Sequence, residues 1–217
     1  MSAFVISESA LERNALILRN VADAAGCRIV LALKGFSCWP CFDALSPWLD
    51  GCCASGLWEA RLARRRFGKH VLTYSPGYAP EEIAELAEIS DHLDFNSLTQ
   101  WSRFREEVMR HPRFLSGELK CGLRVNPRFS TGHTPLYDPC APGSRLGVTP
   151  DVMQGADLAF ENSDVSAVLH GNVISVKNPK SGCIRADHIG KIILDEYCAR
   201  PCPCKIEEIG NAREKTA

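Results

Sequence analysis

Residues 28–34 read RIVLALK: five consecutive apolar residues, Ile29 to Leu33, held between Arg28 and Lys34. The run is short, apolar and β-branched, which predicts a strand buried on both faces. Related stretches recur along the chain at Asp50–Ser55, at His70–Tyr74 (HVLTY), at His92–Asn96 and at Lys120–Asn126 (KCGLRVN). Helical patterns lie between them. Ser7 or Ser9 caps a helix with Leu11, Ala15, Leu18 and Ala22 at helical spacing, ended by Gly26. Shorter helices are expected over Cys41–Leu49 and Gly56–Phe67. Another opens at Pro80 with Glu81 and Glu82 in its first turn, and one runs from Ser97 to about Arg110. Alternation at a period of roughly 25–30 residues means βαβ units and a parallel sheet. A further short strand is expected at Phe4-Val5-Ile6.

After Asn126 the texture changes. Pro127, Pro135, Pro139 and Pro142 crowd into one stretch, which predicts a long loop of the kind that often carries function. Beyond Val148 the pattern weakens to a sixth strand at Val165–Leu169 and a helix at Ile184–Tyr197.

The chain has 217 residues, 45% apolar and 24% charged, the profile of an ordinary globular chain. Lysine and arginine total 25 against 26 acidic residues, a net charge of −1. That balance argues against nucleic acid and membrane surfaces as partners. No apolar run approaches the roughly 20 residues of a membrane span. The start, MSAFVISESALE, lacks a basic n-region and carries Glu8 and Glu12, so a cytoplasmic location is expected. Eleven cysteines cannot all pair internally, and most read as reduced, buried thiols.

Lys34 is the residue richest in chemistry. In parallel α/β folds, ligands gather at the carboxyl ends of strands. A lysine there, at the edge of an apolar interior, is desolvated toward the neutral amine that Schiff-base chemistry needs. The plain alternative is a lysine snorkelling from a strand end.

The segments ALKGFS, DGCCASGLWEARL, FGKHVLTYSPGY, DHLDFNSLTQW, GLRVNP and LYDPCAPGSRLGV occur in this order. Together they resemble the carboxynorspermidine (carboxyspermidine) decarboxylases, alanine-racemase-like enzymes of fold type III that use pyridoxal 5'-phosphate (PLP). The resemblance covers about residues 3–149, and YDPCAPGSRLG and ALKGFS are its most specific pieces. It implies an α/β fold: a (β/α)8 PLP-binding barrel, here incomplete, with the family's C-terminal β domain missing. Residues 1–149 are then the N-terminal part of that barrel, and 150–217 a divergent segment, truncated or misread.

Roles follow from the resemblance. Lys34 matches the lysine that bonds covalently to PLP. Arg124, in GLRVNP, matches a strand-end arginine beside the cofactor. Ser144 and Arg145 fall at the rim of the substrate site. Ser55 and Glu59 line the site or simply start a helix. His170, in AVLHGN, falls near the place of a histidine that stacks on the PLP ring, although its neighbours do not match and a strand-end histidine is the simpler reading. The implied activity is decarboxylation of a small cationic, carboxylated polyamine in polyamine biosynthesis, by a homodimer in the full-length family. A diaminopimelate or ornithine type of decarboxylase is the alternative within the fold type; a non-catalytic fragment is the alternative outside it. A closed barrel takes about 250 residues, and the residues after 149 fall short of the roughly 95 that three more units need.

Two cysteine patterns compete. Cys38-Trp39-Pro40-Cys41 is a C-x-x-C between a strand and a helix, the setting of a thiol-redox motif. Cys198, Cys202 and Cys204 with His188 lack a paired C-x-x-C partner, so no metal site is expected. The basic run Arg61, Arg64, Arg65, Arg66 and Lys69 reads as the solvated face of a helix.

Overall fold

The computed structural model describes residues 5–126, 128 and 138–154, together with two short strands near the C-terminus. Five parallel strands form one sheet in chain order: β1 (Val30–Ala32), β2 (Gly51–Ala54), β3 (His70–Tyr74), β4 (His92–Phe95) and β5 (Lys120–Leu123). The helices are α1 (Glu8–Ala25), α2 (Phe42–Leu45), α3 (Leu57–Leu62), α4 (Ile83–Ile89), α5 (Leu98–Arg110), α6 (Pro112–Leu115) and α7 (Pro150–Gln154). Sequential parallel order with helices between successive strands β1 to β5 is the opening arc of a (β/α) barrel.

Strand register separates two faces. Leu33, Cys52, Ala54, Val71, Leu93, Phe95, Cys121 and Leu123 face the helices and join the main core with Phe42, Ile83, Leu86, Phe104 and Val108. Phe95 meets the Trp101 ring edge-on at 5.1 Å, and Phe42 meets Phe67 at 5.4 Å. Removing a ring so packed costs about 3–5 kcal/mol. The inner face differs. Val30, Cys53, Leu72 and Tyr74 form a small apolar cluster of their own. Register then sets His92 beside Leu72 and Asp94 beside Tyr74, with Lys120 beside His92. The interior is therefore apolar over β1–β3 and polar over β4–β5. Gly51 belongs to this face, where a Cβ would lie 2.0 Å from the His70 carbonyl oxygen; only glycine lets β2 and β3 approach so closely.

At the amino ends of the strands one device appears twice. The Asp50 carboxylate, just before β2, accepts the Ile29 amide at 2.8 Å and the Arg19 guanidinium at 3.0 Å. Asp91, just before β4, accepts the Val71 amide at 2.8 Å and ion-pairs with Arg64 and Arg113. Burial alone would raise the Asp91 carboxyl; the Val71 amide and Arg64 outweigh it and hold the group below its usual range.

The sequence reading needs three corrections. Val5 is 91% exposed and Ile6 is exposed, and neither is in a strand, so the expected N-terminal strand does not form over those residues. The basic run is not a free solvated face. Arg61 pairs with Glu85, Arg64 with Asp91, Arg66 lies 4.6 Å over the Trp39 ring, and Lys69 donates to the Leu49 and Ser46 carbonyls. After β5, Val148 forms an isolated parallel bridge to Val125; the strand expected at Val165–Leu169 lies outside the described residues. Ile184–Arg185, expected to begin a helix, pairs antiparallel with Ser175–Val176. Among the described residues no helix is long and apolar enough to cross a membrane.

Candidate functional site

Lys34 follows β1 directly, and the carboxyl ends of the strands open a cavity of about 180 Å³ beside it. Ala32, Cys53, Ser55, Tyr74, Arg124 and Arg145 share its lining with Lys34. Residues separated by up to about 110 positions thus meet where ligands sit in parallel α/β folds. Lys34 itself is exposed at the rim, so the desolvation expected from its strand is not provided by the described residues.

Tyr74 ends β3 with its ring inward. The Arg124 guanidinium lies 4.8 Å from the ring centroid, within cation–π reach. Arg124 is only 8% exposed. Burial pushes the Tyr74 phenol up, and Arg124 partly offsets that. The Tyr74 hydroxyl donates to the Asn96 side-chain oxygen at 2.7 Å. That oxygen also accepts the Gly147 amide at 2.8 Å, and the Asn96 side-chain amide donates to the Arg145 carbonyl at 2.9 Å. Asn96 therefore fastens the 145–147 segment to the β3 and β4 ends. Gly147 sits at φ +82, and a Cβ there would meet the Asn126 nitrogen at 2.9 Å. The segment can lie this close to β5 because it has no side chain at that point.

Below the cavity, Asp94 is buried with His92 Nε2 3.2 Å from its carboxylate. Burial pushes the Cys53 thiol up to about 12, with Asp94 adding to the effect and Lys34 opposing it. Lower on the same face, burial first and then Arg28 push the His70 imidazole down to about 4. It is neutral at pH 7.

Of the residues singled out from sequence, Lys34, Arg124, Arg145 and Ser55 line one cavity. Glu59 does not line it: its carboxylate accepts the Ser55 amide at 2.7 Å and the Ser55 hydroxyl at 2.8 Å, closing the start of α3. Ser144 is not among the lining residues either. Its hydroxyl accepts the Leu146 amide at 3.2 Å and shapes the loop. His170, Cys198, Cys202, Cys204 and His188 lie outside the described residues. Among the described residues no three His, Cys, Asp or Glu side chains are grouped to hold a metal ion. The sequence reading missed Tyr74 and Asn96. Both lie at strand ends, two residues on from inward-facing Leu72 and Asp94, but a strand-end position alone does not single them out.

A family model described as a protein of unknown function (DUF3737) matches residues 144–207. Carboxyaminopropylagmatine decarboxylase of Synechocystis sp. is 43% identical over 152 residues, covering 70% of this chain and 38% of the relative. Carboxynorspermidine/carboxyspermidine decarboxylase of Campylobacter jejuni is 36% identical over 166 residues, 76% of this chain and 40% of the relative. The enzyme of that name from Herminiimonas arsenicoxydans is 36% identical over 144 residues. The crystal structure of the Campylobacter jejuni carboxynorspermidine decarboxylase with norspermidine superposes with a TM-score of 0.61 at 32% identity, over 73% of this chain and 38% of that one. Diaminopimelate decarboxylase of Helicobacter pylori, at 18% identity and a TM-score of 0.53, shares the fold. The chain spans about two fifths of the length of these curated relatives. Over its matched residues the chain is a homologue of the carboxynorspermidine/carboxyspermidine decarboxylases and has the α/β fold of the fold-type-III decarboxylases.

Proposed function

We propose that this chain carries one side of the active site of a PLP-dependent decarboxylase whose substrate is a carboxylated polyamine. The observation that carries the reading is the meeting of Lys34, Arg124 and Arg145 at one cavity on the carboxyl edge of the sheet. The residues fit the cofactor. A primary amine is there for an aldehyde, two guanidinium groups for negative charge, and the Ser55 hydroxyl and Tyr74 ring for a polar aromatic body.

Bound PLP supplies an electron sink for the loss of carbon dioxide. The chain supplies binding and orientation. Lys34 would hold the cofactor through its amine. Arg124, fixed over Tyr74, would supply a charge-assisted donor at the same cavity. Arg145, with its backbone carbonyl held by Asn96, would add a second guanidinium for negative charge at the cavity. Cys53 forms part of the cavity wall, and its thiol, pushed up to about 12, stays protonated and does not compete for the aldehyde.

Incubation with PLP, borohydride reduction and peptide mapping test the assignment. The expected result is a pyridoxyl group on Lys34. A label on another lysine with Lys34 unmodified overturns it. We also infer a cytoplasmic location and, for the complete enzyme, a homodimer. Both rest on the family resemblance.

A second reading, a PLP-binding fragment without turnover, is favoured by the size of the site. The described residues enclose about 180 Å³, below the roughly 300 Å³ at which pockets for small molecules begin. A polyamine adduct of the cofactor needs more walls than these.

A further inference from the structure

Seven cysteines lie among the described residues, and six of them are buried. Burial pushes the Cys52 and Cys53 thiols up to about 12 and the Cys121 thiol up further. Such groups hold almost no thiolate at neutral pH, and the thiolate is the form that attacks. Among these seven cysteines, Cys38 is partly open to solvent. Its Sγ lies 3.7 Å from the Cys41 Sγ. The two residues bracket one tight turn, in which the Cys41 amide donates to the Cys38 carbonyl at 3.0 Å. A disulfide needs about 2.05 Å between sulfurs, so small side-chain rotations within this turn bring the pair to bonding distance.

The placement matters as much as the spacing. Cys38 is four residues beyond Lys34, on the same loop, whose first turn is closed by the Gly35 and Phe36 amides on the Ala32 carbonyl. Cys41 is buried and leads directly into α2, where Phe42 and Leu45 belong to the core. A bond between the two sulfurs ties the exposed half of the Lys34 loop to a rooted helix.

We propose that Cys38 and Cys41 form a reversible intramolecular disulfide by exchange with small-molecule disulfides of the oxidised-glutathione class, making this turn a modification site on the loop that follows Lys34. The Cys38 thiolate, its proton given to solvent, attacks one sulfur of the small disulfide. That S–S bond breaks, and one small thiol leaves and takes up a proton. A mixed disulfide remains on Cys38. Cys41 then loses its proton to solvent and attacks the Cys38 sulfur, and the second small thiol leaves. The protein dithiol has lost two electrons, and the small disulfide has become two thiols. Burial, followed by the contact with Cys38, pushes the Cys41 thiol up. Cys41 is therefore a poor leaving group when a reducing thiol attacks the accessible Cys38 sulfur. The disulfide reopens slowly, which makes the turn a site of modification and not a catalyst of thiol exchange.

The test uses the whole chain without cofactor, so its outcome is independent of PLP binding. The protein is equilibrated with excess oxidised glutathione, alkylated with iodoacetamide in denaturant, digested with chymotrypsin and weighed. Chymotrypsin separates this turn from Cys52 and Cys53. The expected result is a fragment holding Cys38 and Cys41, two hydrogens lighter and unalkylated at both, restored by dithiothreitol. Cys52, Cys53 and Cys121 remain alkylated in the same sample. In Cys41→Ser the reaction stops at a glutathione adduct on Cys38, and in Cys38→Ser no adduct forms at Cys41. The same treatment in urea spreads oxidation over the other cysteines. Two free thiols at Cys38 and Cys41 in the folded wild type overturn the proposal. A persistent glutathione adduct on Cys38 of the wild type also overturns it, because Cys41 has then failed to resolve it.

Discussion

The Tyr74 hydroxyl and the Gly147 amide donate to one and the same acceptor, the Asn96 side-chain oxygen, at 2.7 and 2.8 Å. One amide thereby joins the end of β3 to a loop about seventy residues later and holds up the ring on which Arg124 rests. Replacing Asn96 with Ala leaves two donors without their acceptor, at a cost of about 1–3 kcal/mol. The urea midpoint of Asn96→Ala should fall accordingly. Asn96→Asp keeps the acceptor and should recover part of the loss. Equal midpoints for wild type and Asn96→Ala would remove Asn96 from this role.

Arg124→Ala should weaken PLP uptake by about ten- to a hundredfold, the worth of one hydrogen bond to a charged group. Arg65→Ala is the comparison, since Arg65 is exposed and lies on the helical face away from the cavity. Absorbance of bound PLP during titration reads both. Matching curves for the two variants would count against a site role for Arg124.

His70 gives the chain an acid-sensitive point. Its imidazole is held down to about 4 by burial and Arg28, whereas in the unfolded chain it titrates near 6.5. Between these values the unfolded state binds the extra proton, so stability falls as pH falls from about 6.5 to about 4. Above 6.5 the group adds no pH dependence. His70→Gln should flatten the urea midpoint over that window, and an unchanged slope would assign the acid sensitivity elsewhere.

Gly51→Ala should be among the most damaging small substitutions, because the new Cβ lies 2.0 Å from the His70 carbonyl oxygen. The contact is with backbone, so β2 and β3 must part. A loss of about 1–3 kcal/mol or more is expected, read as a lowered thermal midpoint. An unchanged midpoint would mean the strands separate freely at this point.

The last expectation concerns association. On α1, Leu16, Ile17, Leu18 and Val21 are 39–61% exposed. Among the described residues β1 pairs only with β2, which leaves its other edge without a described partner strand. Exposed apolar stripes and strand edges promote self-association. Sedimentation should find species above 23.9 kDa, and carbon dioxide release from carboxynorspermidine with excess PLP should be weak or absent. A monodisperse monomer with rapid turnover would defeat both expectations.

Lys34 was legible because it ends a plain apolar run at the ligand end of its strand, and Arg124 was legible through the family resemblance of GLRVNP. Strand order was legible too, since helices too short to cross far connect neighbours. Tyr74 and Asn96 were not, because their partnership depends on register across β3 and β4 and on a loop that returns from position 147. Ser144 and Arg145 are adjacent in sequence, yet one turns the loop and the other lines the cavity, a difference set by the Ser144–Leu146 turn. Val148 was passed over because a single bridge leaves no periodicity to detect.

The paired carboxylates at the amino ends of the strands bear on how the chain acquires its shape. Asp50 reaches back 21 residues to the Ile29 amide, and Asp91 reaches back 20 to Val71. Each closes a loop of about one strand and one helix, and such short loops cost little entropy to close. Contacts this local favour rapid folding. Two such locks, at Ile29 and at Val71, can form as soon as Asp50 and Asp91 emerge during synthesis.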